Sequence, residues 1–141
     1  MVAAKQNSYL PAVGTMTKPF KLDSSAVGTA TIGGASRGYQ LLYFYPKDNT
    51  PGCTLEGQQF SALSQKFTAA GVTIYGISGD DVASKQAFCQ QAKISIPLLA
   101  DVDHKVMQAF NIIGEKNSYG KISVGIRRST VLIAPDGTIA R

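Results

Sequence analysis

The sequence has few of the residues from which metal centres and disulfide scaffolds are built. Its 141 residues include no tryptophan, one histidine and only two cysteines. Two cysteines cannot make a dense disulfide framework, and the single histidine lacks the clustered cysteine or acidic partners of a metal site. We therefore expect no metal and no other cofactor, and redox or nucleophilic chemistry is the better use for the cysteines.

Long apolar runs and clustered charges are also missing. No window approaches 18 consecutive apolar residues, and the N-terminal stretch MVAAKQNSYLPAVG lacks the charged flank and long apolar core of a secretory signal. The net charge is +5, but the basic residues are scattered along the chain and are not interleaved with aromatic residues. These absences predict a cytoplasmic protein that binds neither membranes nor nucleic acid.

The hydrophobic pattern predicts one α/β domain over residues 1–141. A chain of this length with 44% hydrophobic residues can bury one core. The apolar runs YQLLYFY (39–45) and VTIYGIS (72–78) predict buried strands, and Phe60, Leu63 and Phe67 recur at helical spacing within 54–70. A strand, a helix and a strand in this order predict a parallel crossover, with Gly71 ending the helix.

The remaining elements extend this to a three-layer arrangement. Short apolar pieces near 20–22 and 30–32 predict a small hairpin or two edge strands, and Asp80 and Asp81 can cap a helix over 82–92. A short strand near 97–99, a helix over 103–110 and a strand over 129–134 follow, and the last strand turns at 135–137 into a hairpin. The segment GEKNSYGK (114–121) is predicted to be a loop near the active site.

The stretch YFYPKDNTPGCTLE (43–56) places Cys53 where a central strand gives way to a helix. A sulfur at this position lies near unpaired N–H groups whose dipole favours an anion, and the thiolate is the nucleophilic form of cysteine. The alternative is a small buried apolar residue at a helix start. Pro46 can shield the sulfur from water, and the Thr50 hydroxyl can donate to a thiolate or a substrate oxygen. These neighbours favour a reactive thiol.

The same stretch resembles the active-site loop of peroxiredoxins, and its Y-P-K-D-x-T-P-G-C-T form is similar to the Q-type subgroup, the bacterioferritin comigratory proteins. The resemblance continues through GISGDD, IPLLAD, GEKNSYGK and GIRRST. It implies a thioredoxin-like fold, with a central mixed sheet flanked by helices, and a monomeric thiol peroxidase acting on hydrogen peroxide and organic hydroperoxides. Such relatives continue into a C-terminal helix, which we expect this chain to lack.

The resemblance also implies roles for single residues. Cys53 matches the peroxidatic cysteine, which a peroxide oxidises to a sulfenic acid, and Pro46 and Thr50 match the residues of its loop. Arg128 in GIRRST matches the arginine beside the sulfur, with Arg127 as the competing choice on the opposite face of an extended chain. Glu56 stands where an acidic or amide group orients this arginine, or is simply a favourable charge in the first helical turn.

Cys89 is the candidate resolving cysteine. Many Q-type proteins carry this residue five positions after the peroxidatic cysteine, but here Gln58 occupies that position. A subset carries it on the following helix, which implies a disulfide between Cys53 and Cys89 that thioredoxin or a similar dithiol reduces. Because disulfides require a short Cα separation, we expect local unwinding near either cysteine. Otherwise Cys89 is a core-facing residue beside Phe88.

A second class of function uses the same thiol oxidation without turnover. A redox sensor or holdase would change shape on oxidation and bind a client protein. A rapid, saturating, peroxide-dependent oxidation of a dithiol partner would distinguish an enzyme from such a sensor. A thioredoxin-like disulfide exchanger is disfavoured because the sequence has no C-x-x-C motif.

Overall fold

A six-stranded mixed sheet forms the centre of the protein. The structure is a computed structural model and describes residues 10–26, 28–118 and 121–141. In chain order the elements are β1 (Phe20–Ser24), β2 (Thr29–Ile32), β3 (Tyr39–Phe44), α1 (Pro51–Ala69), β4 (Val72–Ser78), α2 (Val82–Ala92), β5 (Leu98–Ala100), α3 (Lys105–Ala109), β6 (Ile113–Ser118), β7 (Lys121–Ile126) and β8 (Ser129–Ile133).

The strand order is β2-β1-β5-β4-β3-β8, with β6 and β7 forming a separate two-stranded sheet. Strands β3, β4 and β5 run parallel, whereas β1, β2 and β8 pair antiparallel with their neighbours. This arrangement confirms the mixed sheet and the parallel strand-helix-strand unit predicted from the sequence. Because parallel β3 and β4 end at the same sheet edge, the loops that follow them meet there, and that edge holds the candidate site.

Strand β3 supplies both faces of the core. Leu42 and Phe44 belong to an apolar cluster that contains Phe110, just after α3, whereas Tyr43 and Tyr45 belong to a second cluster with residues of α1 and α2. Successive side chains of a strand point to opposite faces, so a continuous apolar run is what a strand covered on both sides requires. The predicted three-layer arrangement is therefore confirmed.

The smaller predicted elements are present with shifted ends. The β1–β2 hairpin, the short β5 strand and helix α3 all form, and Asp81 caps α2 by accepting a hydrogen bond from the Ser84 N–H at 2.8 Å. Gly71 follows α1 with φ of 81°, the left-handed region that glycine enters readily. The final hairpin closes through a bridge between Ile133 and Ile139.

Two sequence predictions were wrong. Leu63 does not share the buried face of α1 with Phe60 and Phe67: it is 42% exposed. The buried stripe of α1 runs through Cys53 and Gly57, and Leu63 lies at its flank at about 100° per residue. The segment 114–121 is not a loop, since β6 and β7 pair antiparallel along it, with residues 119 and 120 outside the described ranges. Strand β6 is mostly polar and gives little hydrophobic pattern, whereas the alternation of Ile122, Val124 and Ile126 in β7 was a strand signal that the sequence prediction did not use.

Candidate active site

Cys53 lies in the first turn of α1, directly after the loop that follows β3. Thr50 is the N-cap in an extended conformation, and Pro51 begins the helix, where its missing N–H removes no intrahelical bond. Cys53 is only 2% exposed. The N–H groups of a first helical turn lack intrahelical acceptors and carry partial positive charge, and Cys53 stands in that turn. The predicted strand-to-helix position of the thiol is confirmed.

Arg128 reaches Cys53 from the neighbouring strand. Strand β8 pairs with β3 so that Ser129 lies opposite Phe44, which places residue 128 at the sheet edge where the Cys53 loop begins. The Arg128 Nη2 atom donates to Cys53 Sγ at 3.1 Å, and Nη1 donates to Glu56 Oε1 at 2.7 Å. One guanidinium group therefore bridges the thiol and the carboxylate.

Arg127 takes a different position from Arg128. Its guanidinium group lies against Gly114 at the start of β6, where a side chain larger than hydrogen would overlap it. Its backbone N–H donates to the Ile112 carbonyl at 2.8 Å. Arg128 donates to the thiol, which agrees with the sequence preference for Arg128 over Arg127.

Burial and pairing oppose each other in the Arg128–Glu56 pair. Burial raises the pKa of Glu56, and the nearby Arg128 only partly offsets this effect. Burial also disfavours the charged form of Arg128, but its hydrogen bonds to Cys53 and Glu56 outweigh this cost and raise its pKa. The arginine is therefore a permanent positive charge beside the sulfur, whereas Glu56 holds its proton more tightly than an exposed carboxyl group does.

Pro46 and Thr50 lie at the two ends of the loop between β3 and α1. Pro46 is half-buried, two residues after the end of β3. The Thr50 hydroxyl donates to the Lys47 carbonyl at 3.2 Å, which closes the loop on itself. Asn49, between them, has a φ of 63°, a conformation that asparagine tolerates better than most residues. The hydroxyl is thus held within the loop, and its donation to a sulfur or substrate oxygen stays a prediction.

Cys89 lies on α2, on the same side of the sheet as Cys53. Both cysteines are free thiols, and both contact one apolar cluster that includes Tyr43 and Phe88. Cys89 Sγ donates to Ser25 Oγ at 3.6 Å. Burial raises the pKa of the Cys89 thiol. Cys89 is thus a free thiol within a helix, and local unwinding of α2 or of the loop near Cys53 before a disulfide forms stays a prediction.

Sequence reasoning missed a buried polar cluster behind the loop. Lys85 is completely buried, and its Nζ atom donates to Asp48 Oδ1 at 3.2 Å and to the Tyr45 hydroxyl at 3.1 Å, and also to Ser78 Oγ. The signal was available: Lys85 precedes Phe88 and Cys89 by three and four positions and so shares their helical face. A lysine on the buried face of a helix calls for an acidic partner inside the protein.

The described residues contain no feature that indicates a metal ion or a membrane span. No group of three or more histidine, cysteine or acidic residues within 10–26, 28–118 and 121–141 is arranged to hold a metal ion. Over the same part of the chain, no helix combines the length and apolarity needed to cross a bilayer.

Comparisons with known proteins agree with this geometry. The model of the AhpC/TSA family matches residues 13–141. Peroxiredoxin Bcp of Xanthomonas campestris pv. campestris is 45% identical over 133 residues, which are 94% of this chain and 81% of that protein. The chain therefore matches this relative over most of the length of both proteins.

Solved structures extend the comparison. A structure of the Xanthomonas campestris bacterioferritin comigratory protein, described for its alkyl peroxide reduction activity, has a TM-score of 0.80 and 38% identity, covering 91% of this chain and 85% of that one. Two cysteine-to-serine variants of Xanthomonas campestris peroxiredoxin Q have a TM-score of 0.81 and 38% identity, covering 92% of this chain and 85% and 86% of theirs. Their substituted positions are 36 residues apart, the same separation as Cys53 and Cys89.

A thioredoxin-like mixed sheet, a cysteine at the start of the first helix and an arginine on its sulfur are thus found in a chain that matches these proteins over nearly its whole length. The chain belongs to the AhpC/TSA family and is a peroxiredoxin of the Bcp, or PrxQ, type, an enzyme that reduces peroxides through a cysteine thiol.

Proposed function

We propose that Cys53 is the peroxidatic cysteine of this enzyme. Its thiolate attacks one oxygen of a peroxide and the O–O bond breaks. The attacked oxygen stays on sulfur as a sulfenic acid, and the other leaves as water or an alcohol after taking up a proton. The observation that carries this proposal is the 3.1 Å contact between Arg128 Nη2 and Cys53 Sγ.

Arg128 acts on the charge that moves during this step. Its guanidinium group has one nitrogen on the sulfur, and its side chain is 42% exposed, so it also faces the solvent from which a peroxide arrives. Positive charge held there stabilises the thiolate before the attack and the departing oxygen during it. Glu56 holds the other side of the guanidinium group and fixes its orientation.

The loop residues complete the site. Pro46 shields the sulfur from water on the side of β3. Thr50 supplies a hydroxyl that is held near the helix start by its bond to the Lys47 carbonyl, and a small movement of this side chain would let it donate to a peroxide oxygen. These two roles rest on the family resemblance and on the position of both residues in the loop that precedes Cys53.

We further propose that Cys89 resolves the sulfenic acid. Its thiol gives up a proton and attacks the Cys53 sulfur, the S–O bond breaks, and the departing oxygen takes up that proton and leaves as water while an intramolecular disulfide forms. The 36-residue separation shared with the two substituted cysteines of the Xanthomonas protein supports this assignment, as does the common apolar cluster that both cysteines contact. Thioredoxin or a similar dithiol then supplies the two electrons that restore both thiols.

The substrates we propose are hydrogen peroxide and organic hydroperoxides. The alkyl peroxide activity described for the Xanthomonas relative supports the organic class. We also propose that residues 1–141 form one domain that acts as a monomer in the cytoplasm.

Steady-state peroxide consumption tests this function. The wild type, Cys53→Ser and Cys89→Ser are compared with thioredoxin, thioredoxin reductase and NADPH as the electron source. We expect Cys53→Ser to be inactive and Cys89→Ser to lose turnover with thioredoxin. Turnover by Cys53→Ser would refute the peroxidatic assignment. Unchanged turnover by Cys89→Ser would refute the two-cysteine cycle and leave a one-cysteine enzyme.

A further inference from the structure

Asp48 and Lys85 form a buried ion pair between the active-site loop and helix α2. The Lys85 Nζ and Asp48 Oδ1 atoms are 3.2 Å apart, and the two side chains are 0% and 3% exposed. Asp48 lies in the loop between Pro46 and Thr50, whereas Lys85 lies one helical turn before Cys89. The pair therefore joins the loop of one cysteine to the helix of the other.

Polar groups surround the pair on both sides. The Lys85 ammonium donates to Asp48, to the Tyr45 hydroxyl and to Ser78, which occupies all three of its protons. The Asp48 carboxylate also accepts from the Tyr45 hydroxyl at 2.6 Å and from Ser84 Oγ of α2 at 2.8 Å. Separating the two residues would leave charges that no longer have these partners.

The backbone of the loop is tied to the same place. The Asp48 N–H donates to Asp80 Oδ2 at 2.7 Å, and Asp80 also accepts from Ser78 Oγ at 3.0 Å. Asp80 directly precedes Asp81, the N-cap of α2. Both the side chain and the backbone of Asp48 are thus fixed to residues at the N-terminal end of α2.

The far end of α2 is held more weakly. Gln58 of α1 donates to the Ala92 carbonyl at 3.0 Å, but this bond is exposed and water can replace it. A buried charged pair that loses one partner is far more costly, because the remaining charge is left inside the protein. Opening α2 therefore requires the separation of Lys85 and Asp48 as well as the exposure of the buried Phe88.

We propose that Asp48 and Lys85 are a positioning pair that holds α2 closed and so sets how often Cys89 becomes free to reach Cys53. The opening of α2 does not depend on the proposed function and can be measured in the reduced protein. Its effect on disulfide formation rests on the proposed role of Cys89 as the resolving cysteine. While the pair is intact, Cys53 stays in a folded site that can react with peroxide. When the pair separates, α2 loosens and the sulfenic acid can be resolved.

Amide hydrogen exchange of the reduced protein tests the pair without using peroxide. For Lys85→Met, we expect the slowest amides of residues 82–92 to exchange at least ~10-fold faster than in the wild type. The double variant Asp48→Asn/Lys85→Met has no buried charge left unpaired, and we expect it to recover most of the lost protection. Exchange in Lys85→Met that equals the wild-type rate would overturn the proposal.

A control variant separates this effect from a general loss of stability. Ile32 is fully buried on β2 and packs in the cluster that contains residues of α3, away from α2. Ile32→Ala lowers the stability to urea but should leave exchange of residues 82–92 unchanged relative to the wild type. Equal acceleration in Ile32→Ala and Lys85→Met would mean that the pair is an ordinary core contact, which contradicts the proposal.

A milder variant serves if Lys85→Met does not fold. Ser84→Ala removes only the 2.8 Å bond from α2 to Asp48 Oδ2, and we expect the rate of amide exchange in residues 82–92 to rise about threefold.

Stopped-flow measurement of the peroxide-treated variants then gives the rate of disulfide formation. Faster exchange together with faster disulfide formation and less sulfinic acid supports the whole proposal. Faster exchange with no disulfide in any variant supports the pair and contradicts the proposed role of Cys89.

Discussion

Arg128 contacts Cys53 through one guanidinium nitrogen and Glu56 through the other, at 3.1 Å and 2.7 Å. The two acceptors are three residues apart in the first turns of α1, while the arginine precedes β8. The β3–β8 register brings these distant parts of the chain together. Since guanidinium is planar and forked, one side chain can hold both acceptors in fixed directions.

Replacing Arg128 should impair the reaction of Cys53 with peroxide. Without the guanidinium group, neither the thiolate nor the departing oxygen has a fixed positive charge beside it. For Arg128→Met we expect the second-order rate constant for hydrogen peroxide to fall about 10²–10³-fold. Stopped-flow measurement of Cys53 oxidation gives this constant directly. Arg127→Met is the matched control, since the Arg127 guanidinium lies against Gly114, and a similar loss in both variants would contradict the assignment.

Glu56 should make stability depend on pH in a defined direction. Burial raises its pKa in the folded protein, so the folded state holds this proton more tightly than the unfolded state. The stability that this proton contributes is present below the unfolded pKa, and it is lost as the pH rises through the folded pKa.

Glu56→Gln cannot ionise and should escape this loss. The free energy of unfolding of Glu56→Gln minus that of the wild type should therefore become more positive between about pH 4 and pH 7. Urea unfolding at several pH values measures this difference. A difference that falls with pH would show that Arg128, not burial, controls the ionisation of Glu56.

Cys89 should destabilise the folded protein at alkaline pH. Burial raises the pKa of this thiol, so it stays protonated in the folded state after the unfolded thiol has ionised. Its contribution to stability is complete below an unfolded pKa of about 8.5 and declines above it. With a reductant present, we expect the wild type to lose more stability than Cys89→Ser between about pH 7 and pH 9.5. Equal losses in the two proteins would contradict this expectation.

The elements that sequence reasoning predicted are those with a strong local pattern. The run at 39–45 has apolar side chains for both sheet faces, and the loop before Cys53 has proline, threonine and cysteine at spacings typical of the peroxiredoxin loop. The position of Arg128 followed from the family resemblance and agrees with the observed contact to the sulfur. Local pattern and resemblance thus identified the strand-to-helix site.

The features that sequence reasoning missed depend on pairing between distant segments. Strands β6 and β7 are stabilised by backbone pairing, which polar residues provide as well as apolar ones do. The Lys85–Asp48 pair joins positions 37 residues apart: helical spacing could have indicated that Lys85 is buried, but only the folded structure shows that Asp48 is its partner. Leu63 has the right helical spacing, but the tilt of α1 on the sheet decides which edge of the apolar stripe is covered. The partners in these pairings lie far apart in the sequence, so neighbouring residues alone do not identify them.

The central claim is that peroxide oxidises Cys53 and that Cys89 then forms a disulfide with it. Intact-mass and peptide mass spectrometry after one equivalent of hydrogen peroxide, with a dimedone trap, tests both steps together. The wild type should lose two hydrogens and yield a linked pair of peptides containing Cys53 and Cys89, whereas Cys89→Ser should carry dimedone on Cys53. The account would be contradicted if dimedone labelled Cys89 in Cys53→Ser as fast as it labels Cys53 in Cys89→Ser. A wild type that forms no intramolecular disulfide would also contradict it.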